Sequence, residues 1–238
     1  MSVASNGGNS HDGQSLSQKL NWLRAGVLGA NDGIVSVAAT VVGVAGATSN
    51  HSAIATAGLA AIVGGAISMA LGEYVSVSSQ SDSEKALIQT ERERLATHPE
   101  EVTHDLAGLF EDEGLAPDTA RRAAEEASRK DPLGTSLTLL HGIDAEDVVS
   151  PWHAAIASFV AFALGAAIPL LAILVPGPSV RVPVTFAAVL VALAVTGSVS
   201  AAIGGAPRLR AAFRLVVGGA LALAITYGVG WLFGATVI

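Results

Sequence analysis

The chain has 238 residues, 51% hydrophobic and only 14% charged, with a formal net charge of −7 and no cysteine. A mean hydropathy of +0.54 belongs to a multi-spanning membrane protein, and the lack of thiols excludes disulfides, thiolate metal sites and cysteine nucleophiles. Charge is segregated: residues 79–150 carry 17 of the 20 acidic and 7 of the 13 basic side chains, a formal −10, so the net −7 describes neither part of the chain.

Residues 1–19 are polar and rich in Gly, Ser and Asn, without an apolar stretch. They predict a disordered cytoplasmic tail rather than a cleaved signal peptide. Five apolar segments follow, at roughly 22–46, 53–78, 152–176, 181–203 and 212–236. Each is long enough at about 1.5 Å per residue to cross about 30 Å of hydrocarbon. The expected class is therefore all-α: an integral membrane protein of five transmembrane helices with a helical insert between the second and third. The implied organisation is a tail (1–19), helices 1 and 2 (20–78), an acidic cytoplasmic domain (79–150) and helices 3 to 5 (151–238).

Lys19 and Arg24 precede the first span, and Arg208, Arg210 and Arg214 fall between the fourth and fifth. The only basic residue in the opposite loops is Arg181. Since cytoplasmic loops collect Lys and Arg, the N-terminus, residues 79–150 and the 204–211 loop are expected in the cytoplasm and the C-terminus outside, in a bacterial plasma membrane. Within the insert, helices are expected over 79–98, 100–113 and 117–130, the last begun by Asp118 as a cap, with a short fourth helix reaching Gly142. No Gly or Pro lies between Gly72 and Pro99, so the second span should continue unbroken into the first insert helix. Gly29-x-x-x-Gly33 and Gly230-x-x-x-Gly234 carry the small-residue spacing that lets membrane helices approach closely.

The hairpin of the first two spans holds the chemistry. A carboxylate inside an apolar span costs roughly 2.5–3.5 kcal/mol on insertion scales, and such residues are by default functional. With the turn near Asn50, Asp32 lies 18 residues before it and Met69 lies 19 after it. Antiparallel helices of equal rise put these two side chains at nearly the same depth. Glu73, four residues after Met69, shares its face one turn away. Two carboxylates and a thioether near one depth are a plausible ligand set for a transition-metal ion. In the insert, Glu101-Val-Thr-His104 has the spacing of carboxylate di-iron bundles, but a second copy is missing and a solvated helix face is the plainer reading. No nucleophile–base set or nucleotide loop suggests an enzyme, and no stretch is cationic enough for a nucleic-acid partner.

The runs Gly29-Ala-Asn-Asp-Gly-Ile-Val-Ser36 and Ser68-Met-Ala-Leu-Gly-Glu-Tyr-Val-Ser76 resemble the signatures of the vacuolar iron transporter family, which includes nodulin-21-like membrane proteins. The resemblance extends over most of residues 20–236. It implies a homodimer of five-helix subunits in the lipid bilayer that moves ferrous iron, and often manganese, out of the cytosol in exchange for protons. It carries over to Asp32 and Met69 as ligands of the ion pathway at the dimer interface, and to Glu73 as a pathway or proton-coupling residue. No cofactor is implied, since Fe²⁺ or Mn²⁺ would be the substrate.

In the insert the resemblance implies two Glu-x-x-Glu pairs and a methionine-bearing helix with a further glutamate. This chain has Glu91 and Arg94 at the first pair and Val102 and Asp105 at the second, while residues 134–142 hold neither methionine nor acid. Glu91 and Asp105 remain as candidate metal ligands, with Glu101, His104 and His141 as neighbours able to substitute. The departures predict weak metal binding there, at few sites. The competing reading is a non-transporting membrane protein whose cytoplasmic helical domain senses metal or docks a partner, leaving Asp32 dispensable.

Overall fold

In the computed structural model, residues 16–143 and 150–237 are described, and all their regular structure is helical. Of the expected tail, 1–15 lies outside the described residues and 16–19 already belong to the first helix. The order is α1 (Leu16–Ala47), α2 (His51–Thr97), α3 (Pro99–Asp112), α4 (Pro117–Ser128), α5 (Pro132–His141), α6 (Pro151–Leu174), α7 (Arg181–Ile203) and α8 (Arg208–Val237). The chain divides into two compact units, one of Lys19–Val75 with Trp152–Ile238, the other built on residues 76–143.

The first unit contains the five helices long and apolar enough to cross a membrane: α1, the start of α2, α6, α7 and α8. Its core gathers around α1, where Ile34, Val37, Ala38, Val41 and Val42 are buried against Ile54 and Ala66 of α2, Phe162, Ala166 and Ile173 of α6, and residues of α7 and α8. In lipid there is no hydrophobic drive between helices, so close packing of small residues has to hold them. A Cβ at Gly29 would stand 2.9 Å from the carbonyl oxygen of Ser158, and one at Gly33 would overlap the Phe162 carbonyl, so α1 and α6 touch backbone to backbone. Gly230 and Gly234 of α8 meet Gly43 and Ala47 of α1 in the same way. Both glycine pairs thus serve packing between helices of this chain.

Asn50 starts α2, its Oδ1 accepting from the Ser52 and Ala53 amides at 2.9 and 3.2 Å, the usual satisfaction of a helix's first N–H groups. From there α2 runs for 47 residues, about 70 Å at 1.5 Å per residue, confirming the continuity expected from the absence of breakers. Two local expectations are corrected. Asp118 does not cap α4: Ala116 is the N-cap and Pro117 takes the first helical position, leaving Asp118 inside the first turn. Proline's fixed φ and missing N–H suit that position, and the cap falls two residues before Asp118. Arg208, Arg210 and Arg214 are not in a loop, because α8 begins at Arg208 directly after Pro207.

In the second unit α3 and α4 form a hairpin over a small core of Val102, Leu106, Ala107, Ala120 and Ala124. Gly114 turns between them at φ +96°, a left-handed conformation that glycine adopts without steric cost. Asp131 is the true acidic cap here, its Oδ1 accepting from the Gly134 amide at 2.9 Å to start α5. At the other end Gly142, at φ +66°, closes α5 while the Ile143 amide bonds back to Leu137, a Schellman ending.

Candidate functional site

Along α1, Asp32, Ser36 and Thr40 recur every four residues and so form one stripe. Along α2, Ala61, Gly65, Ser68, Met69, Gly72 and Glu73 form another at the same period. The two stripes face a common groove of about 520 Å³, which Phe162 of α6 closes on one side. A Cβ at Gly65 would strike the Phe162 ring, whereas nothing lies within 4 Å of one at Gly72, so the groove is tight at one end and open at the other. The three residues that the depth argument singled out are thus brought together.

The two hydroxyls that α1 contributes to the groove are spent on their own helix. Ser36 donates to the main-chain carbonyl of Asp32, and Thr40 donates to that of Ser36 at 2.9 Å, the back-bonding common for Ser and Thr in helices. Ser36 therefore donates to the main chain and not to the Asp32 carboxylate. Among the described residues neither Asp32 nor Glu73 is paired with a cation. Asp32 is exposed, while Met69 and Glu73 are half-buried. Asn31, the neighbour in the same motif, turns away: it lines a separate, mainly apolar groove with Leu23, Val27 and Leu28 of α1 and Thr196 and Ser200 of α7.

Two uncompensated carboxylates and a thioether sulfur in one groove match a divalent cation in charge and in donor type. The set is partial: among the described residues no three His, Asp or Glu side chains converge closely enough to hold a metal ion. The face of α2 beside the groove is apolar and exposed at Leu59, Val63, Ile67, Leu71 and Val75, as befits lipid or another protein.

The insert candidates sort differently. Glu91 is 2% exposed, receives a hydrogen bond from Ser136 Oγ, and lies 3.5 Å from His141 Nε2 and 3.8 Å from Arg94. Arg94 also pairs with Asp105. Glu91 and Asp105 are therefore brought together, with a guanidinium between them. The hydrogen bond to Asp105 is the main cause that raises the Arg94 pKa above its ordinary value; burial opposes it, and the negative charges of Asp105, Glu91 and Glu101 add to the rise. Arg94 lies in the charged part of α2, beyond its apolar stretch. Glu101 is exposed, and His104 lines another cleft, with Glu100, Glu111, Asp118 and Arg121. Val102 is fully in the hairpin core. The sequence reading missed Ser136 and Phe162. Nothing local marks Ser136, whereas Ser36 and Thr40 could have been found as polar residues at four-residue intervals from Asp32.

The model described as the VIT family matches residues 23–231. The chain is 42% identical over 212 residues, 89% of its length and 78% of the relative's, to a vacuolar iron transporter of Acanthamoeba castellanii. It is 40% identical over 217 residues, 91% and 75% of the two chains, to vacuolar iron transporter homolog 1 of Oryza sativa subsp. japonica. Vacuolar iron transporter homolog 3 of Arabidopsis thaliana is 38% identical over 220 residues, 92% of this chain and 86% of its own.

Proposed function

Since this chain belongs to the VIT family, we propose that it carries Fe²⁺, and Mn²⁺ as a second substrate, across the membrane out of the cytosol in exchange for protons. The observation that carries this reading is the groove in which Asp32, Met69 and Glu73 meet with no neutralising cation among the described residues. A divalent ion entering it would neutralise both carboxylates, which removes the main cost of holding them within a span. Carboxylates must be deprotonated to bind metal, so loading releases protons and reprotonation weakens the grip. A site that takes either metal or protons, and that opens to each side in turn, exchanges one for the other.

In this reading Asp32 and Glu73 supply charge and proton exchange, and Met69 adds a soft donor that favours Fe²⁺ over Mg²⁺ or Ca²⁺. The groove is open on one side and its ligand set is incomplete, which supports a homodimer in which a second copy closes the pathway. The acidic insert, on the cytoplasmic side, raises the local cation concentration within about 8 Å of its surface at physiological ionic strength. The alternative of a metal-sensing insert is disfavoured, because Glu91 and Asp105 are already engaged by Arg94.

Proteoliposomes holding the purified protein test this reading. Fe²⁺ and Mn²⁺ uptake should be driven by a proton gradient acidic inside, should alkalinise the lumen as protons leave in exchange for metal, and should fall when the gradient is collapsed. Metal flux of unchanged rate without a gradient would remove proton exchange. No flux in either condition would remove transport.

A further inference from the structure

The five-helix unit carries a second groove, apart from the one that Asp32 lines. It has a volume of about 680 Å³ and is framed by Val27 and Leu28 of α1, Thr196 and Ile203 of α7, and Leu215 of α8, within the size range of ligand sites. From Leu23 to Asn31 it follows α1 for eight residues, about 12 Å at 1.5 Å per residue. That is most of the about 15 Å of hydrocarbon in one leaflet. An apolar slot of this length suits an acyl chain. An extended peptide would leave its backbone polar groups unsatisfied there.

The mouth of the groove lies where Ile203 ends α7 and Arg208 begins α8. Arg208 precedes Leu215 by seven residues, two turns, and so shares its line along α8. Arg210 lies about 140° round the helix from that line. Arg208, Arg210 and Arg214 are all exposed, and among the described residues no carboxylate pairs with any of them. Within 19–75 and 152–238 the only acids are Asp32 and Glu73. Positive charge without a counter-ion thus stands at the mouth of an apolar slot one leaflet deep. We propose that this groove binds one anionic phospholipid, with an acyl chain along α1 and α7 and the phosphate held by Arg208. A guanidinium takes phosphate oxygens through paired, charge-assisted hydrogen bonds. Arg210 and Arg214 add only the general attraction of a basic surface for anionic lipid. Such a site serves whichever ion is carried and whichever end faces the cytosol.

Native mass spectrometry tests this on the full-length protein, delipidated in detergent and titrated with phosphatidylglycerol or with phosphatidylcholine of the same chains. One phosphatidylglycerol per chain should bind ahead of all others. It should bind roughly tenfold tighter than phosphatidylcholine, whose choline cation is repelled by the arginines. Arg208→Gln should weaken this first lipid by roughly thirtyfold, the loss of a charge-assisted bond. Arg210→Gln should weaken it by no more than about fivefold, the worth of one surface cation. Ser200→Trp, which puts an indole into the groove that Ser200 lines, should abolish the tight lipid and leave the later ones unchanged. Arg208 and Ser200 are both exposed, so neither change disturbs the core. Equal affinity for the two lipids would overturn the proposal. Equal weakening by Arg208→Gln and Arg210→Gln would do so too, since diffuse surface charge predicts that result. A tight lipid that survives Ser200→Trp would lie elsewhere on the molecule, and the groove would lose its assignment.

Discussion

Asp32 is exposed and lines the groove together with Met69 and Glu73, and its backbone carbonyl accepts from Ser36. Because no cation in the described chain neutralises it, replacing the charge should cost function and little stability. Asp32→Asn is expected to lower Fe²⁺ flux to about a tenth of wild type or less, while the melting temperature stays within a few degrees. Retention of more than half the flux would remove Asp32 from the pathway. Met69→Leu keeps volume and apolarity and loses only the sulfur, so Fe²⁺ and Co²⁺ transport should fall more than Mn²⁺ transport. Competition assays read this ratio, and an equal loss for all three ions would reduce Met69 to a packing residue. At this scale the sequence is legible where a residue violates its surroundings: an acid in an apolar span announces itself. It is silent where partners are distant along the chain. Glu91 meets Ser136 45 residues away, and no pattern near either position reveals the meeting.

Helix boundaries were legible for a related reason. Apolar runs, prolines and glycines act locally, so the continuity of α2 and the three Pro-started helices of the insert follow from composition. The exact caps did not, because Pro117 and Asp118 compete for the same turn and only the three-dimensional chain shows that Ala116 is the cap and Asp118 lies inside the first turn. The contact between α1 and α6 offers a prediction at the scale of elements. A Cβ at Gly33 would collide with the main-chain carbonyl of Phe162, and a carbonyl in a helix cannot rotate away as a side chain can. Gly33→Ala should therefore destabilise by about 1–3 kcal/mol through overpacking, and should also reduce flux because Phe162 lines the groove. Gly72→Ala is its control, since nothing lies within 4 Å of the added Cβ. Thermal unfolding of the two variants in detergent should separate them, and equal melting temperatures would mean that α1 and α6 are not in backbone contact.

At the scale of the whole molecule, orientation decides which way metal and protons run. The helices alternate, so the turn at 48–50 and the α6–α7 connection lie at one end of the five-helix unit. The α7–α8 connection lies at the other. Arg208, Arg210 and Arg214 are all exposed at that second end, where they can meet anionic headgroups of a cytoplasmic leaflet. The first end has one described cation, Arg181, and it is 4% exposed, turned inward with Nη1 donating to the Ser49 carbonyl at 3.5 Å. Its charge is used inside the protein, so the asymmetry presented to the membrane is sharper than a count of loop residues suggests. This burial strengthens the expectation that the α7–α8 end and the insert face the cytoplasm. The absence of cysteine from the chain makes the measurement direct. Single replacements Ser179→Cys, in the exposed α6–α7 connection, and Thr119→Cys, on the exposed face of α4, can each be probed with a membrane-impermeant maleimide. In sealed right-side-out vesicles Ser179→Cys should label at once and Thr119→Cys only after permeabilisation. The reverse pattern would place the acidic insert outside, and the groove would then load metal from the side to which it is proposed to release it.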